Sequence, residues 1–285
     1  MAISSKKENL RINHLNSYTI EHLKKHIVLK TENLSIGYQQ KKKQLIIGND
    51  INLSIEKGKF VSVLGKNGIG KSTLLRTLAK IQKPLYGAVY LNDVDLIKHN
   101  SKELAGLLSL VLTERLPESQ LTVFELIALG RQPYTNWIDN LSEKDINKIN
   151  WAITQTEIEH LQHNRFYELS DGQLQRVLIA RALAQDTDII ILDEPTAHLD
   201  MHHTFKIFSL LKKLVDTTNK TIIISTHQIN LALDLVDELI LISDNGFISG
   251  ETQKLIDDNV LDTLFPKETI NFNKTLRQFT INKDN

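Results

Sequence analysis

A chain of 285 residues in which 41% are apolar has enough hydrophobic material for one large domain or two fused subdomains, which excludes a fibrous or natively disordered protein. Its 34 basic residues are matched by 34 acidic ones, so no net field draws it to nucleic acid or to an anionic membrane surface. It has no cysteine, which excludes disulfides and thiolate metal sites, and no apolar run approaches the roughly 18 residues that span a bilayer.

Residues 1–26 are rich in Asn, Lys, His and Ser and read as an extension with little helical tendency. Met1–Leu10 lacks the apolar centre of a signal peptide, so the chain is expected to remain on the cytoplasmic side. Regular structure is expected from Ile27, with antiparallel strands at Ile27–Lys30, Leu34–Tyr38 and Ile51–Ile55 and the lysines 41–43 in a solvated hairpin turn. Phe60–Leu64 reads as a short buried strand and Thr73–Ala79 as a helix. Between them lies Gly65-Lys66-Asn67-Gly68-Ile69-Gly70-Lys71-Ser72-Thr73, which fits G-x-x-x-x-G-K-[ST] at every fixed position. Such a loop turns backbone N–H groups and a helix N-terminus toward phosphate oxygens. Lys71 then supplies a charge for the β- and γ-phosphates, and Ser72 a hydroxyl ligand for Mg²⁺.

Pro84 and Gly87 bracket a turn before a strand at Ala88–Leu91, and a further buried strand is expected at Leu108–Leu112. From Thr122 to Thr156 the periodicity is helical, with capping signals at Thr122 to Glu125 and Ser142 to Asp145. These helices imply an inserted α-helical subdomain over about 113–168. A third capping box, Ser170 with Gln173, opens a helix that returns to the core. Uniformly apolar strands then alternate with helices: Asp188–Leu192, a helix over His202–Val215, Thr221–Ser225, a helix from Ile229, and Leu239–Ile242. Strands of that kind are buried on both faces, as in a parallel sheet between helices. The tail over 256–285 is expected to pack on the domain as a short helix ending near Pro266 and two short strands.

Ile190-Ile191-Leu192-Asp193-Glu194-Pro195 ends a buried strand with two carboxylates, where open α/β sheets bind ligands. There Asp193 suits Mg²⁺, and Glu194 suits the orientation and deprotonation of a water attacking the γ-phosphate. His227 stands just beyond the strand ending at Ser225, within reach of that phosphate. His198, His202 and His203 raise the question of a metal site, since 198 and 202 are one helical turn apart, but histidines at a helix start are ordinarily solvated.

Together, the phosphate loop, Ser170-Asp171-Gly172-Gln173 and the Asp193-Glu194 pair resemble the ATP-binding-cassette (ABC) ATPases over about residues 27–255. The resemblance implies a P-loop NTPase cassette of α/β class, with a mostly parallel core sheet, an antiparallel β subdomain and an inserted helical subdomain. It implies ATP and Mg²⁺ as cofactors, Tyr38 stacked on adenine, Asp200 as the D-loop acid and His227 as the switch histidine. It also implies a homodimer in which Ser170, Asp171, Gly172 and Gln173 complete the partner's ATP site. Leu129-Gly130-Arg131-Gln132-Pro133-Tyr134, Ala180–Thr187 and Pro195–Asp200 look like the ATPases of bacterial importers for ferric siderophores, haem and vitamin B12. That likeness implies a peripheral subunit beneath a separate permease, served indirectly by a substrate-binding protein. The alternative is a soluble cassette ATPase acting on an iron-sulfur or other cytosolic assembly. One departure stands out: where the family carries a glutamine at the entry to the helical subdomain, this chain has Thr113 or, with a one-residue shift, Glu114. Either would replace a neutral amide near Mg²⁺, and Glu114 could contact the metal.

Overall fold

The computed structural model describes residues 26–40, 43–112, 119–135, 140–244, 246–264 and 270–281. The expected extension up to residue 25, the Thr113-Glu114 junction and Pro266 lie outside these residues.

Uniformly apolar segments do form the parallel sheet. β4 (Phe60–Leu64), β7 (Leu108–Val111), β8 (Ile189–Leu192), β9 (Thr221–Ser225) and β10 (Glu238–Ser243) lie parallel in the order β10-β4-β9-β8-β7, with β11 (Gly246–Glu251) antiparallel at the β10 edge. Side chains along each strand alternate between two cores. Phe60, Leu64, Leu192, Ile222 and Ile224 join the core shared with the helices of the second half, while Val61, Val63, Ile191 and Ile223 face the other side. Each such Leu or Ile removed from water contributes about 1.5–3 kcal/mol, so one charge placed at the fully buried Ile223 would break that face.

The second core holds α1 (Lys71–Leu78) between the parallel sheet and a five-stranded antiparallel sheet. In that antiparallel sheet β1 (Ile27–Gln40) pairs with β2 (Lys43–Ile51), β3 (Ser54–Glu56) and β5 (Tyr86–Leu91), and β5 pairs with β6 (Val94–Asp95). The two strands expected at Ile27–Lys30 and Leu34–Tyr38 are one continuous strand. Asn33, at φ 46°, and the register shift past Leu34 bend it and interrupt its alternation. β2 was not legible: it begins at Lys43, inside the expected lysine turn. It lies at the sheet edge with most of its residues exposed, so no buried alternation marks it.

α2 (Ser101–Leu107) carries a capping box, Asn100 with Glu103, beyond the three expected from the sequence. Those three are all present, at the starts of α3 (Val123–Ala128), α4 (Glu143–Gln155) and α5 (Asp171–Ala184). Between α3 and α4 the expected helix tightens into a 3₁₀ segment, Leu129–Tyr134, around Pro133. Gly130 is needed there by close approach, since a Cβ would collide with the Arg181 carbonyl of α5. The second half adds α6 (Met201–Thr218), α7 (Ile229–Leu235) and α8 (Thr252–Asp257), then a hairpin of β12 (Ile270–Asn273) and β13 (Gln278–Ile281). The hairpin docks on α7, where Arg277 Nη2 donates to the Leu233 carbonyl at 2.8 Å and the Phe279 N–H to Asn230 Oδ1 at 3.1 Å.

Candidate nucleotide-hydrolysis site

Parallel register brings the ends of β4, β8 and β9 side by side, with Val63 opposite Ser225 and Leu192 opposite Ile224. The residues that follow these three strands therefore share one edge of the sheet, although those after β4 lie more than a hundred positions from the other two groups in the chain.

After β4 the loop turns into α1 through Gly70, at φ 117°, a conformation that strains any residue with a Cβ. A Cβ there would also strike Ile47 of β2. With glycine as N-cap, α1 starts with no side-chain cap and no acidic residue in its first turn, whereas α2 to α5 all begin with a reciprocal capping box. Its first N–H groups, at Lys71, Ser72 and Thr73, therefore keep their affinity for an outside anion. Lys71 is buried, and its Nζ donates to the carbonyls of its own loop, Gly65 at 3.0 Å and Lys66 at 3.2 Å. Burial pushes its pKa down, against the pull of Glu194 and Asp193. A buried ammonium whose hydrogen bonds go to neutral carbonyls is poised for an anionic ligand.

After β8, Asp193 is 2% exposed and its Oδ1 accepts two hydroxyl bonds, from Ser72 at 2.9 Å and Ser225 at 2.7 Å. Glu194 holds a left-handed backbone at φ 47°, a strain of about 1–3 kcal/mol for a non-glycine residue. Its N–H donates to Ser225 Oγ at 2.8 Å, and its Oε1 meets His227 Nε2 at 2.7 Å and lies 3.8 Å from Lys71 Nζ. Ser72, Asp193, Glu194 and His227, each singled out in the sequence, are thus joined through Ser225 in one hydrogen-bonded chain, with Lys71 beside it in ion-pair range of Glu194. Its oxygen ligands, a serine hydroxyl and a carboxylate, are those a small hard cation such as Mg²⁺ selects. Ser225 was missed; the signal was a hydroxyl ending the otherwise aliphatic run Ile222-Ile223-Ile224.

The other candidates lie around this cluster. Lys66 Nζ reaches Asp244 at 2.9 Å, and Asn67 and Gly68 are exposed at the lip of the loop, with Ile69 half-buried. Tyr38, 42% exposed, shares a hydrogen bond of 3.1 Å between its hydroxyl and Thr73 Oγ1, which places it beside the start of α1 rather than loose at a sheet edge. Ser170 caps α5, its Oγ accepting the Gln173 N–H at 3.4 Å while its own N–H donates to Gln173 Oε1 at 3.0 Å; Asp171 is exposed. Gly172 is buried against α6, where a Cβ would lie 2.8 Å from the His203 ring. His203 in turn holds Asp200: its N–H donates to Oδ1 at 2.8 Å and its Nδ1 lies 2.9 Å from both carboxylate oxygens. The His203 N–H, and then its ring, hold the Asp200 carboxyl below its ordinary range. The His203 imidazole, which the sequence offers as a metal candidate or a solvated histidine, thus holds Asp200 and borders the space that a Cβ at Gly172 would enter. Among the described residues no group of three acids or histidines is arranged to hold a metal ion, and no helix is long and apolar enough to cross a membrane.

Comparison with known proteins places this geometry in context. The ABC transporter family profile matches residues 48–197. The chain is 36% identical over 240 residues to the iron(3+)-hydroxamate import ATP-binding protein of Bacillus subtilis, covering 83% of this chain and 87% of that protein. Among solved structures it resembles a metal-chelate type ABC transporter in an inward-facing conformation, with TM-score 0.73, 29% identity and coverage of 89% of this chain and 95% of that one. It also resembles a dimeric ATP-binding cassette in a post-hydrolysis state bound to ADP and phosphate, with TM-score 0.68, 30% identity and coverage of 79% and 98%.

Proposed function

The chain belongs to the ABC transporter family as an ATP hydrolase, and from that premise we propose that it powers the import of an iron complex through a separate membrane permease. The observation that carries the catalytic part is the cluster at the sheet edge, in which hydrogen bonds through Ser225 join Ser72, Asp193, Glu194 and His227, and the buried Lys71 lies 3.8 Å from Glu194. Lys71 exchanges its loop carbonyls for the β- and γ-phosphates, and the open N–H groups of α1 take the remaining oxygens. Tyr38 covers the adenine. Ser72 and Asp193 would hold Mg²⁺, which when bound offsets negative charge on the phosphates. Glu194 orients a water and takes its proton, with His227 fixing the carboxylate on one side. Where the family carries its glutamine this chain has Thr113 or Glu114, both outside the described residues; if the position is that of Glu114, its carboxylate is a further candidate for the metal.

Cassettes of this family dimerise, and Ser170, Asp171, Gly172 and Gln173 are read here as the patch that meets the nucleotide of a second copy, linked through His203 to Asp200. The iron reading rests on the relative that imports an iron(3+)-hydroxamate and on the metal-chelate transporter. It places the chain at the cytoplasmic face of the membrane, with a binding protein delivering the ligand. Haem and vitamin B12 remain within the same importer reading.

Glu194→Gln keeps the shape of the side chain and removes the base, so at saturating MgATP it should accumulate as an ATP-bound dimer in sizing with light scattering and should not turn over. A strictly monomeric, ATP-bound variant overturns the dimer reading. Co-purification with the permease, followed by hydrolysis assays with binding protein loaded in turn with iron(3+)-hydroxamate, haem or vitamin B12, decides the ligand by which one stimulates.

A further inference from the structure

We propose that Ser225 is a positioning residue of the hydrolytic site: its one hydroxyl fixes the Asp193 carboxylate and the Glu194 backbone relative to the strand that carries His227. The inference rests on the assignment of Asp193 and Glu194 given above.

Ser225 is fully buried at the last position of β9. Its hydroxyl donates to Asp193 Oδ1 at 2.7 Å and accepts the Glu194 N–H at 2.8 Å, so both of its hydrogen-bonding roles are used on consecutive residues of the next strand's end. Nothing in the sheet requires a hydroxyl there. The ladder between β9 and its neighbours is made by the backbone, and the three residues before Ser225 are isoleucines packed into the two cores. A serine buried in this sheet need not even find a partner: Ser62, on the adjoining β4, has a buried hydroxyl without one among the described residues. The two bonds of Ser225 are therefore a matter of placement, and both fall on the acids of the site.

Each bond has its own consequence. Among the described residues, Asp193 Oδ1 accepts hydroxyl protons from Ser72 and Ser225. A metal ion would take a lone pair of the Ser72 oxygen, so the position of that hydroxyl would answer to the metal as well as to Asp193. Ser225, which has no part in holding the metal, is the donor that orients the carboxylate from behind, as an outer partner does for a metal-binding group. The bond to the Glu194 N–H secures a left-handed backbone at φ 47°, the conformation that turns the Glu194 side chain toward His227 and Lys71. Because Ser225 and His227 leave the same strand end two residues apart, a shift of β9 moves the histidine and both acids together.

The test compares full-length Ser225→Ala and Ser225→Cys with the parent, measuring kcat and KM for MgATP, the Mg²⁺ midpoint for binding a fluorescent ATP analogue, and thermal unfolding. If Ser225 positions the acids, Ser225→Ala should lower kcat about tenfold with KM within about twofold, and raise the Mg²⁺ midpoint several-fold, in protein that stays folded at the assay temperature. Ser225→Cys fills the same space with a weaker donor and should fall between the two. Parental kcat and Mg²⁺ midpoint in Ser225→Ala overturn the inference. So does a Ser225→Cys protein equal to the parent, which would show that only space is filled, or a kcat loss that merely follows lost folded protein. Glu194→Gln is run alongside: if it hydrolyses ATP at the parental rate, the assignment of the acids fails first, whereas a dead Glu194→Gln beside a parental Ser225→Ala rejects Ser225 alone.

Discussion

Of the buried polar clusters among the described residues, the one at the edge of the parallel sheet and the one in the helical insert are finished to different degrees. In the insert, Arg131 Nε donates to Asp145 Oδ1 at 2.8 Å and its Nη1 to the Ala184 carbonyl at 2.7 Å, while Asp145 Oδ2 accepts the N–H and hydroxyl of Ser142 at 3.0 and 2.6 Å. The guanidinium also lies 4.1 Å over the Tyr134 ring. Charge meets charge and the geometry is closed. At the sheet edge, the buried Lys71 instead donates to neutral carbonyls, and the α1 N-terminus has no cap. A closed cluster locks α3 to α5 together; an open one waits for phosphate.

The contrast is sharpest when each cation is removed. Arg131→Met leaves the Asp145 charge buried without its ionic partner, for which the expected loss of stability is about 3–5 kcal/mol in urea unfolding. ATP affinity of the remaining folded protein should not change. The pH dependence should follow Asp145, whose carboxyl is held below its ordinary range first by the Ser142 hydroxyl and then, against burial, by Arg131. A depressed folded pKa gives stability that is complete above the unfolded value of about 3.9 and is lost as pH falls through the folded value. The parent should therefore be level across neutral pH and lose this contribution only in acid below about pH 4.

Lys71→Ala should do the reverse. Charge-assisted bonds to phosphate are worth about 1.5–3 kcal/mol each, so losing two weakens ATP binding by about 3 kcal/mol, roughly a hundredfold or more. Without nucleotide the variant should melt no lower than the parent. Burial lowers the Lys71 pKa, so the charged side chain opposes folding below that pKa and its removal relieves a cost. Lower apo stability together with parental ATP affinity would make Lys71 a second closed lock and collapse the contrast.

How legible each cluster was follows from how local it is. The phosphate loop, the Asp193-Glu194 strand end and the three capping boxes are runs of a few residues whose chemistry is set by spacing, and each appears where its pattern places it. Ser225 and Arg131 act across 32 and 14 positions, on partners that only sheet register or helix packing brings near. The hexapeptide around Arg131 was noticed as a family likeness, yet its physical role, a hinge that fits Gly130 against the Arg181 carbonyl and aims Arg131 at Asp145, has no short-range signature. Edge strand β2 went unread for a related reason, since one-sided pairing leaves no buried alternation.

The smallest expected effect separates two contributions of Tyr38. Its hydroxyl shares a 3.1 Å hydrogen bond with Thr73 Oγ1, and its ring, 42% exposed, offers a face to a base. A part-exposed neutral hydrogen bond is worth about 0.5–1.5 kcal/mol and can be exchanged for water, so Tyr38→Phe should change ATP affinity by no more than about threefold. The ring contributes more, because stacking of an aromatic on a base is worth about 1–3 kcal/mol, and Tyr38→Ala should weaken ATP by about tenfold or more. Titration with ATP and with inorganic triphosphate distinguishes the two. If the ring stacks on adenine, Tyr38→Ala loses affinity for ATP and keeps that for triphosphate. If it weakens both alike, Tyr38 acts through Thr73 on the phosphate end, and the open cluster at the sheet edge extends one residue further into the antiparallel sheet than its charged members show.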